Sequence, residues 1–298
     1  MPSGGVDVIL EALRDPLWLC AGAFVFGLVV GSFLNVVIHR LPRAESIVSP
    51  GSRCPHCQSP IRAFDNVPVL AYLWLRARCR RCGARISARY PAVELLTGCV
   101  FAAVAWRFGA SYATPVLMVF AAGLIVAALI DLDHQIIPDQ ISLGGLAAGL
   151  LLVPLLHALG GQSLRESWAM AWSGALIGGG TLWTVAFLHA RLSTALGREF
   201  EHWPGAGESP PRPGSLDYWI WFPGLGFGDI KLLAMIGAFL GPWGVLRTIL
   251  AASLLGLLMG VGWALIKRSW DTPFGFGPAI AFGALFALLV PRGSLLIF

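Results

Sequence analysis

"GLGFGDIKLLAMIG", residues 224–237, is the stretch on which the reading of this chain turns. Glycines at 224, 226 and 228 alternate with apolar residues and lead into Asp229. Lys231 follows, and then a strongly apolar run begins. An ionised Asp deep in a bilayer costs about 2.5–3.5 kcal/mol on insertion scales, so a carboxylate at the mouth of such a run needs a reason to be there.

The rest of the chain agrees that the run belongs in a membrane. Of 298 residues, 56% are hydrophobic and only 12% charged. An ordinary soluble domain carries roughly 25% charged residues. This much apolar surface exceeds what one soluble core can hide, so an integral membrane protein is expected. Apolar runs lie at 17–38, 93–108, 114–130, 141–159, 168–188, 230–245, 248–266 and 276–290. The sixth and eighth are short or interrupted by Gly-Pro. The expected fold is an all-α polytopic membrane protein with about eight transmembrane helices and no internal repeat. The first run is uncharged over 22 residues. That is too long for a signal-peptide core and long enough to span, so no cleavable signal is expected.

Two polar insertions break the pattern, at 39–92 and 190–228. The second contains "EHWPGAGESPPRPGS" and reads as a flexible Pro/Gly-rich loop. Orientation follows from Lys and Arg. With the N-terminus outside, the inner loops hold 16 of the 21 basic residues. Arg14, Arg107, Arg165, Arg247 and Arg292 remain outside. Both insertions are therefore expected in the cytoplasm. The formal charge of +5 is a matter of topology. It calls for anionic lipid headgroups as neighbours and for no nucleic acid.

The first insertion carries "CPHC" (54–57) and "CRRC" (79–82), a C-x2-C-x21-C-x2-C pattern. Two such pairs complete a tetrahedral four-thiolate site suited to Zn2+. Cytoplasmic placement disfavours disulfides. Four protein ligands leave no open position, so Cys54, Cys57, Cys79 and Cys82 would hold a structural metal that staples a small loop. Two redox pairs or an empty site are the alternatives. His56 reads as a bystander, and Cys20 and Cys99 as packing residues in apolar helices. The chain lacks H-E-x-x-H, which argues against a zinc metalloprotease.

Carboxylates near the expected spans are few. "ALIDLDHQIIPDQIS" (128–142) supplies Asp131, Asp133 and Asp139 at the end of the third run, and Asp229 opens the sixth. The topology puts Asp131 and Asp229 at one membrane depth, on the cytoplasmic side, although 98 residues separate them. Two adjacent carboxyls share a proton. The ionised one can take a proton from water while the other donates to a scissile carbonyl. Simpler roles stand beside this one. Asp139 after Pro138 reads as the N-cap of the fourth helix, and Asp229 could cap the sixth. Asp133 and His134 could be loop residues, and Lys231 could only mark the inner face. Glu94 could favour a helix N-terminus after Pro91.

Taken together, "GSFLNVVIHRLP" (31–42), the two CxxC pairs, "RYPAVELLTG" (89–98), "DLDHQIIPD" (131–139), "GFGDIKLLAMIGAFLG" (226–241) and "TPFGFGP" (272–278) resemble the bacterial type IV prepilin leader peptidases. These are also N-methyltransferases and belong to the GxGD-type intramembrane aspartyl proteases. The likeness covers almost the whole chain, in order and spacing. It implies catalytic roles for Asp131 and Asp229, with Asp133 the fallback for the first. It also implies a zinc-type site at the four cysteines. On this reading residues 1–42 hold the first helix, 43–90 the cytoplasmic zinc-binding loop domain and 91–298 the protease core. The implied substrates are prepilins or pseudopilins with a basic leader and an apolar helix, cut at the cytoplasmic face of the bacterial inner membrane. The implied second activity is methylation of the new N-terminus from S-adenosylmethionine. The residues themselves reveal no methyl-donor site, and there is no Rossmann-type glycine fingerprint. Asn35 and Glu94 are the only candidates singled out. The 190–228 loop is longer and richer in Pro than the family pattern, and reads as an insertion. The competing reading is a non-enzymatic membrane assembly or transport protein whose zinc loop binds a partner.

Overall fold

The computed structural model describes residues 15–198, 211–223, 226–268 and 275–291. The N-terminal residues 1–14, residues 199–210 of the Pro/Gly-rich stretch, Gly224 and Leu225 of the opening motif, and 272–274 of "TPFGFGP" lie outside the described residues. Among those described there are helices and isolated bridges but no strand. Six helices are long and apolar enough to cross a membrane. The chain forms two compact units, 1–126 and 127–298.

In the first unit, α1 (Pro16–Arg40) starts where the Asp15 side chain accepts the Leu17 N–H at 2.8 Å, with Pro16 in the first turn. His39 and Arg40 sit in its last turn, where the helix dipole favours cations. A short helix α2 (Leu70–Trp74) lies in the insertion, and α3 (Arg89–Phe108) follows it. Helices α1 and α3 pack together through small residues. A Cβ on Gly27 would sit 2.7 Å from the Gly98 Cα, and one on Gly31 the same distance from the Glu94 Cα. In lipid no hydrophobic force drives helices together, so close backbone approach and dispersion must do it. Gly27 and Gly31 lie one turn apart and present a flat strip for that contact. Helix α4 (Ala113–His134) is apolar all round and the most buried of the spans.

In the second unit, α4 breaks after His134. Gln135 adopts φ 55° and its N–H bonds to the Asp131 carbonyl. Pro138 then caps α5 (Asp139–Leu159) from an extended conformation. The expected N-cap role of Asp139 is therefore corrected. Asp139 is the first helical residue, makes no capping hydrogen bond, and pairs instead with Lys231. Helix α6 (Leu164–Ala195) runs several residues past the expected 188 and takes in the start of the polar stretch. The described end of that stretch, 217–222, packs on α6. Helix α7 (Asp217–Ile220) is strapped to α6 by stacked rings, with Trp183 and Trp219 6.2 Å apart and Phe187 and Trp219 5.3 Å apart. The Trp183 indole N–H donates to the Trp219 carbonyl at 2.9 Å. Arg191 lies 3.6 Å over the Tyr218 ring, and Phe222 is buried against Ala186, Ala190 and Ile230.

Helix α8 (Phe227–Lys267) spans 41 residues but is two helices joined at Gly241, whose φ is 68°, with Pro242 next. Only glycine adopts that angle without strain, and proline starts a helix readily. With α9 (Gly277–Leu289), the described chain has eight apolar helical segments, as expected. The sixth ends at Gly241 rather than at 245, because the Gly-Pro pair sets the break. Helix α8 packs against α5, α6 and α9. Gly174 and Gly178 of α6 lie against the Gly237 and Leu233 carbonyls, and a Cβ on Gly283 of α9 would meet the Thr248 carbonyl at 2.7 Å.

Candidate active site and metal centre

Asp131 is 5% exposed and Asp229 9%. Asp131 sits in the last turn of α4. Its Oδ2 accepts the backbone N–H of Gly277 at 2.9 Å, at the start of α9. Gly275 and Gly277 lie against this carboxyl, and a Cβ on Gly277 would come within 2.7 Å of Oδ2. Neither glycine can carry a side chain without moving the acid.

Asp229 is in the first turn of α8, and its N–H bonds to the Gly226 carbonyl at 3.1 Å. Gly226 holds the N-cap position, so the expectation that Asp229 caps this helix is corrected. Its carboxyl is left for other work. Oδ1 is buried with no hydrogen-bonding partner among the described residues. Such an atom costs about 1–3 kcal/mol unless a ligand or water satisfies it.

The two carboxyls lie within coulombic range of each other. Their segments abut, since a Cβ on Gly228 would lie 3.1 Å from the Ile137 Cβ. Lys231 and Asp139 form an ion pair between the same two segments. Asp133 and His134 are exposed. The sequence offered no role for Gly275 and Gly277. They lie in the "TPFGFGP" motif, and their "GFG" repeats the "GFG" before Asp229.

In the first unit the four cysteines converge, their sulfurs all within 4.8 Å of one another. Cys54 and Cys82 Sγ are 3.9 Å apart. A zinc–sulfur bond of about 2.3 Å puts tetrahedral sulfurs about 3.8 Å apart, so the set fits the metal. The two pairs are built alike. The Cys54 N–H donates to the Ser59 carbonyl at 3.0 Å, and the Cys79 N–H to the Ala84 carbonyl at 2.8 Å. Gln58 and Gly83, four residues after the first cysteine of each pair, both adopt positive φ. Each pair is thus a tight knuckle that turns two thiols the same way. Hydrogen bonds from the Ser59 side chain and backbone lower Cys57 to about 6, and Cys82 and Arg81 backbone N–H groups lower Cys79. Thiolates are the metal-binding form. His56 is not among the converging groups.

Glu94 does not serve the N-terminus of its own helix. It is buried, and its Oε2 accepts the Val69 N–H at 2.7 Å, at the start of α2. The Asn35 amide donates to the Tyr90 carbonyl at 3.1 Å and the Gly31 carbonyl at 3.2 Å.

Comparison with known proteins gives a consistent picture. Residues 25–108 match the bacterial Peptidase A24 N-terminal domain, and residues 118–261 match the Type IV leader peptidase family. A prepilin leader peptidase/N-methyltransferase of Stutzerimonas stutzeri is 37% identical over 92% of each chain. That of Aeromonas hydrophila is 36% identical over 95% of this chain and 94% of its own. That of Neisseria gonorrhoeae is 33% identical over 87% and 86%. No solved structure gives a significant match.

Proposed function

Because the chain belongs to the Type IV leader peptidase family, we propose the following division of labour for a multi-pass membrane protein that removes the leader peptide of prepilins and N-methylates the product. Asp131 and Asp229 are the catalytic pair. One carboxyl takes a proton from the attacking water, and the other donates one to the scissile carbonyl oxygen. The Gly277 N–H holds Asp131 in place, and the bare Oδ1 of Asp229 faces the reacting groups. Gly226 and Gly228 leave room for an extended substrate backbone.

The supporting observation is the burial of two carboxyls on abutting segments, one of them with an unsatisfied oxygen. The pair lies at the cytoplasmic face of the inner membrane, with the N-terminus outside, as the Lys/Arg distribution favours. Substrates there are prepilins or secretion pseudopilins whose basic leader stays in the cytoplasm while the apolar helix enters the bilayer. Residues 43–90 form the zinc-binding insertion after a first helix within 1–42, and the pair lies in a core within 91–298. Cys54, Cys57, Cys79 and Cys82 hold Zn2+, which acts as a cross-link because four thiolates leave no open position for water. S-adenosylmethionine supplies an activated methyl group for the second activity.

The test is Asp131→Ala and Asp229→Ala, each assayed in membranes with a prepilin. Both should abolish leader removal. Wild-type cleavage by either variant rejects the pair.

A further inference from the structure

Residues 217–223, "DYWIWFP", end in a proline six positions before Asp229. Helix α7 is a single turn, and its C-cap Trp221 is extended. Carbonyls at such an end have no partner inside the helix. The Tyr218 carbonyl would need the Phe222 N–H of a continuing helix, and the Trp219 carbonyl would need an N–H that Pro223 lacks. Side chains of α6 take both places. The Arg191 guanidinium donates to the Tyr218 carbonyl and lies over the Tyr218 ring, and the Trp183 indole donates to the Trp219 carbonyl. The Arg191 Nε is buried without a hydrogen-bonding partner among the described residues, so the guanidinium is held by these other contacts and not by water.

Trp183, Phe187 and Arg191 recur every four residues and form one stripe along α6. Phe187 adds ring contacts to Tyr218 at 5.6 Å, Trp219 at 5.3 Å and Phe222 at 6.3 Å. The small residues Ala186 and Ala190 leave a recess, and Phe222 fills it. Ile230, the residue after Asp229, is buried in the same cluster. Phe222 is therefore wedged between α6 and the first turn of α8, which carries the acid.

We propose that Trp183, Arg191 and Phe222 are positioning residues for Asp229. Trp183 and Arg191 pin α7 to α6 by its carbonyls, and Phe222 then sets how far the first turn of α8 stands from α6. The inference rests on the assignment of Asp229 to the catalytic pair, and adds what holds that acid in place. Asp131 is fixed directly, by the Gly277 N–H. Oδ1 of Asp229 has no such partner among the described residues, so the aim of this carboxyl follows the placement of its helical turn. Two contacts set that placement from outside the helix. Ile137 bears on Gly228, and Phe222 bears on Ile230.

The test measures kcat and KM for a prepilin with the full-length protein in detergent. Methylation of a pre-cleaved pilin by the same samples reports folding, and should stay within about twofold of wild type. Phe222→Ala empties the recess and should lower kcat at least about tenfold, with KM within about twofold. Phe222→Leu refills most of the recess and should regain most of that loss. Trp183→Phe keeps the ring stack and deletes one donor, so kcat should fall between about twofold and about tenfold. Arg191→Lys keeps the charge but loses the flat guanidinium, and should behave like Trp183→Phe. Wild-type kcat in Phe222→Ala and Trp183→Phe overturns the proposal, and so does a Phe222→Leu variant as slow as Phe222→Ala. A raised KM at unchanged kcat also overturns it, since α7 would then bind substrate. Parallel loss of cleavage and methylation in Trp183→Phe, the mildest change, does the same, since the contact would then only hold the fold. Trp183→Phe decides the matter if Phe222→Ala fails to fold. Asp229→Asn separates this proposal from the pair it rests on. Cleavage by Asp229→Asn rejects the pair, whereas an inactive Asp229→Asn beside fully active Phe222 and Trp183 variants rejects the positioning role alone.

Discussion

The Gly277 N–H donates to Asp131 Oδ2 at 2.9 Å, across 146 residues of sequence. A backbone donor at a helix start cannot be swung away like a side chain, so it fixes the acid on one oxygen. Gly277→Ala adds a Cβ at 2.7 Å from that oxygen and 2.9 Å from Cγ. The carboxyl must then move. Displacing a reacting group by about 1 Å costs about a hundredfold in rate. Leader cleavage in membranes should fall by that order, with the protein still folded. A variant that cleaves at nearly the wild-type rate would show that this glycine does not position the acid.

Part of this site could be read from the sequence, and the physics says which part. Asp131 and Asp229 stood out because acids are rare in apolar runs, and the Lys/Arg count put both on one side. The cysteines stood out because ligand spacing is local. Gly277 lies in a quoted motif, but its role as a donor to Asp131 could not be read there, because a backbone N–H has no side-chain identity. Asp139 was misread because a cap and a long-range ion pair look alike locally, and its partner Lys231 lies 92 residues away. Glu94 was misread for the same reason, since its acceptor role depends on Val69 in a loop 25 residues earlier. The eight segments followed from hydropathy. Their packing did not, because which of the 36 glycines face a neighbouring helix depends on the three-dimensional crossing.

The Lys231–Asp139 pair joins the segments that carry the two acids. Its Lys side chain is 19% exposed and its Asp side chain 59%, so water screens it substantially. Exposed pairs of this kind contribute about 0.2–1 kcal/mol. Lys231→Met and Asp139→Asn should each slow cleavage by less than about tenfold. The charge swap Asp139→Lys with Lys231→Asp should recover part of that loss. If the swap is worse than both singles combined, the pair does not act through its charges.

The cysteine knuckles predict a metal content. Purified protein should contain zinc by elemental analysis, and Cys54→Ser or Cys79→Ser should lose it. Chelation should loosen residues 54–82 in limited proteolysis. Leader cleavage should persist in the stripped protein while it stays folded, because a four-thiolate site has no position for a reacting water. Immediate loss of cleavage in a still-folded apoprotein would give the metal a chemical role instead.

The α1–α3 contact should not tolerate side chains. Gly27→Leu and Gly31→Leu place whole side chains where a single Cβ would already lie 2.7 Å from backbone atoms. Overpacking of this kind costs about 1–3 kcal/mol, and more where backbone opposes backbone. Each variant should lower the unfolding midpoint in detergent. Gly22→Leu is the control, because nothing lies within 4 Å of its Cβ position. Equal midpoints for Gly22→Leu and Gly27→Leu would contradict the packing described here.

The last prediction concerns pH and the second knuckle. Arg80 holds Asp65 with both Nε and Nη2, the closest contact being 2.7 Å. The hydrogen bonds, and then the charge of the guanidinium, keep the Asp65 carboxyl below the usual range. A depressed folded value means that the contribution is fully present above the unfolded value of about 3.9, and is lost as pH falls through the folded value. Asp65→Asn removes the charge at every pH. Hydrogen exchange of the 62–66 and 79–82 backbone should therefore be faster in the variant than in the wild type at neutral pH. That difference should persist down to about pH 4 and close below it. A difference that closed near pH 6 would place the titrating group elsewhere, with the thiols rather than with Asp65.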